Sequence, residues 1–263
     1  MDGEHAMSRG IRWVYAFVDR PVAGFARAVD FWSAVTDTER SELRGEWGQF
    51  TTLLPHAAGA DAFVKAQAVE GAGGAHLDFA VDDVAAAARR ARELGATPVF
   101  AEEGLEVLRS PAGHGFCLVP WESEKTRPAP VTGPAGDRSR LDQVCVDAAP
   151  SRFEAEVSFW SAFTGWESVP GSRPEFHVVR SPAELPVQIL VQRLEEEGPV
   201  NAHVDVACSD REACRRWHEE LGASSVAEGA HWIVMRDPAG GVYCLTGRQP
   251  DSGQRGNVSP SGA

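Results

Sequence analysis

Two short strands of sequence carry the same pair of chemically useful side chains. His76 and Asp78 lie two apart in AHLDF, and His203 and Asp205 lie two apart in AHVDV. A histidine titrates near neutrality and a carboxylate can orient its ring, so each pair can act as a base with its positioning acid. On an extended strand, side chains two apart share a face with their roots about 7 Å apart, so contact is allowed but not enforced. A histidine satisfied by backbone partners fits the same residues. No Gly-x-Ser-x-Gly elbow accompanies them, so a nucleophilic serine triad is not expected. The glycine runs GAGGAH (71–76) and PAGG (238–241) lack the lysine of a phosphate loop and read as turns.

The elements that must position these pairs are written twice. Residues 75–96 and 202–223 match at 11 of 22 positions with an offset of 127, and the same offset aligns RSPAGHGFCL (109–118) with RDPAGGVYCL (236–245). FWSAVTDTE (31–39) matches FWSAFTGWE (159–167) at an offset of 128. Three blocks in one order at nearly one spacing mark a tandem duplication. Residues 122–139 are rich in Pro, Gly and charge and read as a linker. Residues 1–10 and the tail 248–263 are nearly devoid of apolar residues and are expected to be disordered. The modules are therefore 11–121 and 140–247. Each alternates strand, helix and three strands, performed twice, with helices such as SRFEAEVSFWSAFTG (151–165) closed by Gly165.

Composition narrows the function. The chain has 43% hydrophobic and 24% charged residues, and 25 Lys+Arg against 38 Asp+Glu give a net charge of −13. That balance argues against nucleic acid or an anionic membrane as a partner and leaves a small molecule. No apolar run approaches the roughly 20 residues of a membrane span. Five cysteines without a CxxC pair argue against disulfides or a zinc ribbon, and a reducing cytoplasm is expected. Fusion of two modules is compatible with a monomer and leaves a homodimer open.

The motifs FWSAFTGWE, AHVDV with AHLDF, and DPAGGVYCL, in that order and repeated, resemble the vicinal-oxygen-chelate superfamily of glyoxalase, bleomycin-resistance and extradiol-dioxygenase proteins. They are similar to its Phe-Tyr…Leu-Gly-Trp-Glu, His-Leu-Asp and Asp-Pro-x-Gly-Asn elements. The resemblance implies an α+β fold in which paired β-α-β-β-β units form a cupped mixed sheet with helices outside. It also implies a ligand in the cup, often beside a divalent metal. Its metal positions fall on Gln143, Gln192, His203 and Cys244 in the second module, and on Tyr15, Gln67, His76 and Cys117 in the first. The closing element normally supplies a Glu seven residues after its Asp, and seven after Asp237 is Cys244.

None of those eight positions is a carboxylate, so Mg, Mn and Fe are not expected; if a metal binds, Zn is the most compatible. Free cysteine is also a common small buried strand residue. Strand alternation puts His203, Asp205, Gln143, Cys145 and Gln192 on cup faces, with Trp13, Tyr15 and Phe17 on the first module's cup face. Trp13, Tyr15 and Trp232 are candidates for stacking on an aromatic ligand, whereas Trp32, Trp160 and Trp217 read as core. The favoured function is an enzyme acting on a small, partly apolar metabolite by a lyase- or isomerase-type proton transfer, with His203 as base and Asp205 beside it. The alternative is a metal-independent protein that sequesters such a compound. An extradiol-type dioxygenase ranks third, because its iron wants two His and a carboxylate.

Overall fold

The computed structural model describes residues 10–252. The first unit is β1 (Ile11–Pro21), α1 (Phe25–Thr36), β2 (Thr38–Arg40), β3 (Phe50–Pro55) and β4 (Val64–Val69). The second is β5 (Gly74–Val81), α2 (Val84–Glu93), β6 (Thr97–Glu102), β7 (Leu105–Arg109) and β8 (Gly115–Pro120). After a short β9 (Val131–Thr132), the third unit is β10 (Arg138–Ala148), α3 (Phe153–Thr164), β11 (Glu167–Pro170), β12 (Phe176–Arg180) and β13 (Gln188–Arg193). The fourth is β14 (Asn201–Cys208), α4 (Arg211–Glu220), β15 (Ser224–Glu228), β16 (Trp232–Arg236) and β17 (Val242–Thr246). The order in every unit is the one the alternation predicts, and the fold is α+β in two tandem modules.

Each module is one mixed sheet. The first has the order β2-β3-β4-β1-β5-β8-β7-β6 and the second β11-β12-β13-β10-β14-β17-β16-β15, with β9 added to β10. The central pairs, β1–β5 and β10–β14, are antiparallel and join the two units of a module. Alternation then divides the faces. Val144 and Val146 on β10, and Val204 and Val206 on β14, are buried, which leaves the polar side chains between them to the cup. The helices start and stop where local chemistry dictates. Asp83 and Asp210 cap α2 and α4 by accepting from the backbone N–H of Ala86 and Ala213 at 2.9 and 3.0 Å. Gly165 ends α3 in the left-handed region at φ 69°.

The first helix of each module also packs on the opposite module. Phe31 and Trp32 of α1 meet Tyr243, with ring centroids 5.8 and 5.1 Å apart, and Phe31 also meets His218. Trp160 and Phe163 of α3 meet Phe79 and Phe116 of the first module. Two buried carboxylates stitch this junction. Asp237 accepts from Arg20 at 2.6 Å and from the Trp32 indole at 3.0 Å. Glu156 accepts from the Trp160 indole at 2.7 Å and the Ala112 N–H at 2.9 Å. A Cβ at Gly241 would lie 2.0 Å from Nε of Arg20, so only glycine leaves room for that guanidinium.

Several sequence expectations are corrected here. The segment read as a linker is tied down: Asp61 accepts from the N–H groups of Lys125 and Thr126, and β9 and the start of β10 fall within it. The tail is ordered through residue 252, because Arg248 pairs with Asp142 and Asp251 pairs with Arg138. Ion pairs hold it together with the buried Pro250, and a hydrophobicity criterion does not register ion pairs. At the other end Gly10 accepts from the N–H of Asp82, and the expectations for 1–9 and 253–263 lie outside the described residues. Trp32 and Trp160 are core as expected, but Trp217 is only half-buried, and its neighbour His218 takes the buried position. Among the described residues no helix is long and apolar enough to cross a membrane.

The junction contains two buried histidines, His114 and His218, whose pKa values burial lowers to about 4. A depressed folded-state value means stability is fully present above the unfolded pKa of about 6.5 and falls as the pH drops toward 4. Urea unfolding at pH 7 and 4.5 should therefore differ by about 2–3 kcal/mol for each histidine. His218→Gln, which cannot titrate there, should remove about half of that difference.

Candidate functional site

The second sheet encloses a cavity of 710 Å³. Strand register fills its floor. Antiparallel pairing of β10 with β14 sets Cys145 opposite His203 and Gln143 opposite Asp205. Parallel pairing of β14 with β17 puts Cys244 beside Asp205, and parallel pairing of β10 with β13 puts Gln192 beside Asp147. Phe176, Val178, Leu190 and Trp232 form the apolar part of the wall. Phe176 meets Trp232 edge-on at 5.7 Å. Thus His203, Asp205, Gln143, Gln192, Cys244 and Trp232 are brought to one cavity.

His203 stands between two carboxylates. Its Nδ1 lies 3.0 Å from Oδ2 of Asp147 and its Nε2 lies 3.5 Å from Oδ1 of Asp205 and 3.6 Å from Sγ of Cys244. A carboxylate can only accept, so Asp147 fixes the proton on Nδ1 and leaves Nε2 as the working nitrogen. Burial alone would lower the His203 pKa, but the Cys145 sulfur and hydrogen bonds to Asp147, Cys145 and Cys244 outweigh it and push it well above the ordinary value. Burial raises the Asp205 pKa, against the pull of His203 and Arg248. It raises that of Cys244 as well. The Cys145 thiol donates to Asp147 and Gln192 at 3.7 and 3.6 Å. Arg248 binds Asp142 and lies 3.5 Å from Oδ2 of Asp205.

The donor set can be tested against a metal. Nε2 of His203, a carboxylate oxygen of Asp205 and Sγ of Cys244 all lie within 4.8 Å of one another. The separations of 3.5 and 3.6 Å measured from Nε2 match the edges of a tetrahedron with ligands about 2.0–2.3 Å from its centre. Oδ1 of Asp205 and Oε1 of Gln143 are buried without a hydrogen-bond partner among the described residues. A carboxylate on the far nitrogen of a ligating histidine is the usual support for a bound ion, and Asp147 supplies it. A nitrogen, oxygen and sulfur set fits Zn and not the all-oxygen preference of Mg. Asp205 thus places a carboxylate among the donors, which the set of four positions taken from the resemblance did not contain.

The first module repeats the skeleton with bulkier side chains around its histidine. His76 has Asp19 on Nδ1 at 2.7 Å and Asp78 on Nε2 at 3.6 Å, with Cys117 beside Asp78. Gln67 pairs opposite Asp19 as Gln192 pairs opposite Asp147. But Tyr15, Phe17 and Lys65 stand at the register positions of Gln143, Cys145 and Leu190. Phe17 stacks on His76 at 4.2 Å, and Nζ of Lys65 lies 3.5 Å from the centre of the Tyr15 ring. The Tyr15 hydroxyl donates to Glu124. Tyr15 is thus occupied by its own neighbours. Trp13 is 1% exposed with its N–H given to the Ala62 carbonyl, which corrects its assignment as a stacking surface. Sequence reasoning missed Asp19, Asp147, Lys65, Arg211 and Arg248. Asp147 was within reach, since it shares the strand face of Gln143 and Cys145.

A family model described as a glyoxalase-like domain matches residues 15–119 and 143–246. Solved structures similar to this chain include the Mn(II)-bound glyoxalase from Novosphingobium aromaticivorans, at 17% identity and TM-score 0.60, covering 91% of this chain and 82% of that one. A mutant of 4-hydroxymandelate synthase from Streptomyces coelicolor matches at 14% identity and TM-score 0.57, covering 93% and 95%. The 2,2',3-trihydroxybiphenyl 1,2-dioxygenase from Sphingomonas wittichii strain RW1 matches at 16% identity and TM-score 0.58, covering 90% of each. No protein of curated function matches the sequence.

The hydrogen bond to Asp147 is one of the contacts that raise the His203 pKa. The raised folded-state pKa means the ring's stabilising contribution is fully present below about pH 6.5 and is lost as the pH rises through the folded value. Asp147→Asn should shift the His203 ring titration, followed by NMR, to lower pH and leave that of His76 in place. An unmoved His203 titration would show that Asp147 does not support the charged ring.

Proposed function

Because the chain belongs to the glyoxalase-like domain family of the vicinal-oxygen-chelate superfamily, we propose that its second module is an enzyme active on a small, partly apolar organic metabolite. The proposed step moves or removes a proton on carbon beside a carbonyl, in a lyase- or isomerase-type reaction. The observation that carries this reading is the contrast between two matched Asp–His pairs. Both rings are similarly accessible, at 13% for His203 and 15% for His76, but His203 lines a 710 Å³ cavity with Gln143 and Cys145 beside it, whereas His76 is stacked by Phe17 with Tyr15 in the place of Gln143.

In that reading Nε2 of the neutral His203 ring takes the proton, so turnover should rise with pH as the raised His203 value is passed, while Asp147 holds the tautomer and stabilises the imidazolium that forms. Asp205 stabilises the same charge from the other side, 3.5 Å from Nε2. The Gln143 amide lines the cavity and can donate to the oxygen on which negative charge develops. Phe176, Val178, Leu190 and Trp232 take the apolar part of the substrate and exclude water from the carbon that is deprotonated. A positioned base of this kind contributes about 10² to 10⁴ in rate.

An ion of the zinc class would be held by His203, Asp205 and Cys244, with the Gln143 amide oxygen as fourth donor. Bound there, it would supply Lewis acidity to a substrate oxygen. Ion and proton compete for the same Nε2, so base catalysis belongs to the metal-free site and should survive chelation.

His203→Gln keeps similar bulk and hydrogen bonding but cannot titrate near neutral pH. It should hold substrate affinity within about tenfold while turnover falls by roughly 10² to 10⁴. His76→Gln should be much milder, since Phe17 stacks on that ring and Tyr15 stands where the second module has Gln143. Binding with no turnover in the wild type would favour sequestration. Activity lost on chelation and restored by Zn would move the site to Lewis-acid chemistry. Tight stoichiometric iron lost with His203→Ala would promote the dioxygenase reading.

A further inference from the structure

The chain is acidic, with a net charge of −13, yet the walls of its open cavity are not. Arg180, Arg211 and Arg248 line it against a single carboxylate, Asp205. Two of those cations have partners on the protein. Arg180 pairs with Glu167 at 2.9 Å, and Arg248 is shared between Asp142 and Asp205. Arg211 differs: its Nη1 is buried with no hydrogen-bond partner among the described residues. One turn further along α4, Arg215 is held by both Glu212 and Glu219.

A buried guanidinium N–H without an acceptor is an unfavourable arrangement, and the acceptor that relieves it best is an anion. The side chain of Arg211 lies against the backbone at Gly247, where an added Cβ would be 3.8 Å from Nε, next in sequence to Arg248. The cation therefore lies on the cavity wall near the end of β17.

The geometry points to an organic carboxylate as the substrate of this cavity, its carboxylate on Arg211 and its apolar portion on Phe176 and Trp232. This rests on the proton-transfer reading of the same site and names its substrate class. A carboxylate is favoured over a phosphate ester by charge. With Arg180 matched by Glu167, Arg248 set between Asp142 and Asp205, and His203 between Asp147 and Asp205, Arg211 is, among the described residues that line the cavity, the cation left for a ligand, which suits a monoanion. The Phe176–Trp232 corner suits a flat or branched apolar group.

The test is calorimetric titration of the intact chain with 3-phenylpropanoate, its neutral isostere 3-phenylpropanamide, and phenyl phosphate. The acid should bind at least about tenfold more tightly than the amide, with the preference shrinking as salt rises. Arg211→Met should erase the preference and leave amide affinity within about twofold, at an unchanged thermal midpoint. Arg211→Lys keeps the charge without the fork and should retain part of it. Equal affinity for acid and amide, a preference that survives Arg211→Met, or no binding of either probe at millimolar concentration would overturn the proposal. Tighter binding of phenyl phosphate than of the acid would overturn it too. Loss of turnover in His203→Gln without any acid preference would sink this inference and leave the proton-transfer reading standing.

Discussion

The antiparallel pairing at the centre of each sheet, β1 with β5 and β10 with β14, is the constraint from which the rest follows. It fixes which residues face one another across the cup, Phe17 with His76 and Cys145 with His203. Because side chains alternate with a period of two, the same register commits Val144, Val146, Val204 and Val206 to the helices. A slip of one residue would bury His203 and Asp205 beneath α3 and α4 and expose those valines. The parallel neighbours β13 and β17 then add Gln192 and Cys244 at fixed positions. The helices cannot drift either, because α1 and α3 are each pinned to the opposite module, α1 through Trp32 on Asp237 and α3 through Glu156 on the Ala112 N–H. Rigidity at the floor of the cup is thus a property of the whole two-module assembly.

Duplication makes the chain its own control. Both modules keep the Asp–His–Asp series and a cysteine on the closing strand. The difference between the two sites comes down to three positions on the first and fourth strands of each module. Where the second module has Gln143, Cys145 and Leu190, the first has Tyr15, Phe17 and Lys65. Burial lowers the Lys65 pKa, as expected for an ammonium seated among aromatic rings. The same backbone therefore sets small side chains beside one histidine and bulky ones beside the other. That asymmetry is what assigns the chemistry to His203 and not to His76.

Much of this architecture was legible before any coordinates. The repeat offset set the number of modules, and alternation put His203, Asp205 and Gln143 on one face. What stayed hidden depends on contacts between distant segments. Arg248 lies in a stretch with almost no apolar residues, and only its partners Asp142 and Asp205, more than 40 residues away, show why it is held. Trp13 alternates onto the cup face, yet the Ala62 carbonyl takes its N–H and seals the ring. Asp205 was read as a companion to His203, but the turn of the sheet also brings it to Cys244, so it can serve a proton or an ion. Lys65 drew no notice, because a lysine on a strand is ordinarily a solvated side chain.

The central claim is that one cup of two is open, and ligand stoichiometry tests it most directly. Native mass spectrometry of the intact chain at saturating 3-phenylpropanoate should show one ligand per chain. Leu190→Lys, which places the first module's filling residue in the second, should reduce that to none while the protein stays folded. Two ligands per chain, or one that survives Leu190→Lys, would contradict the account.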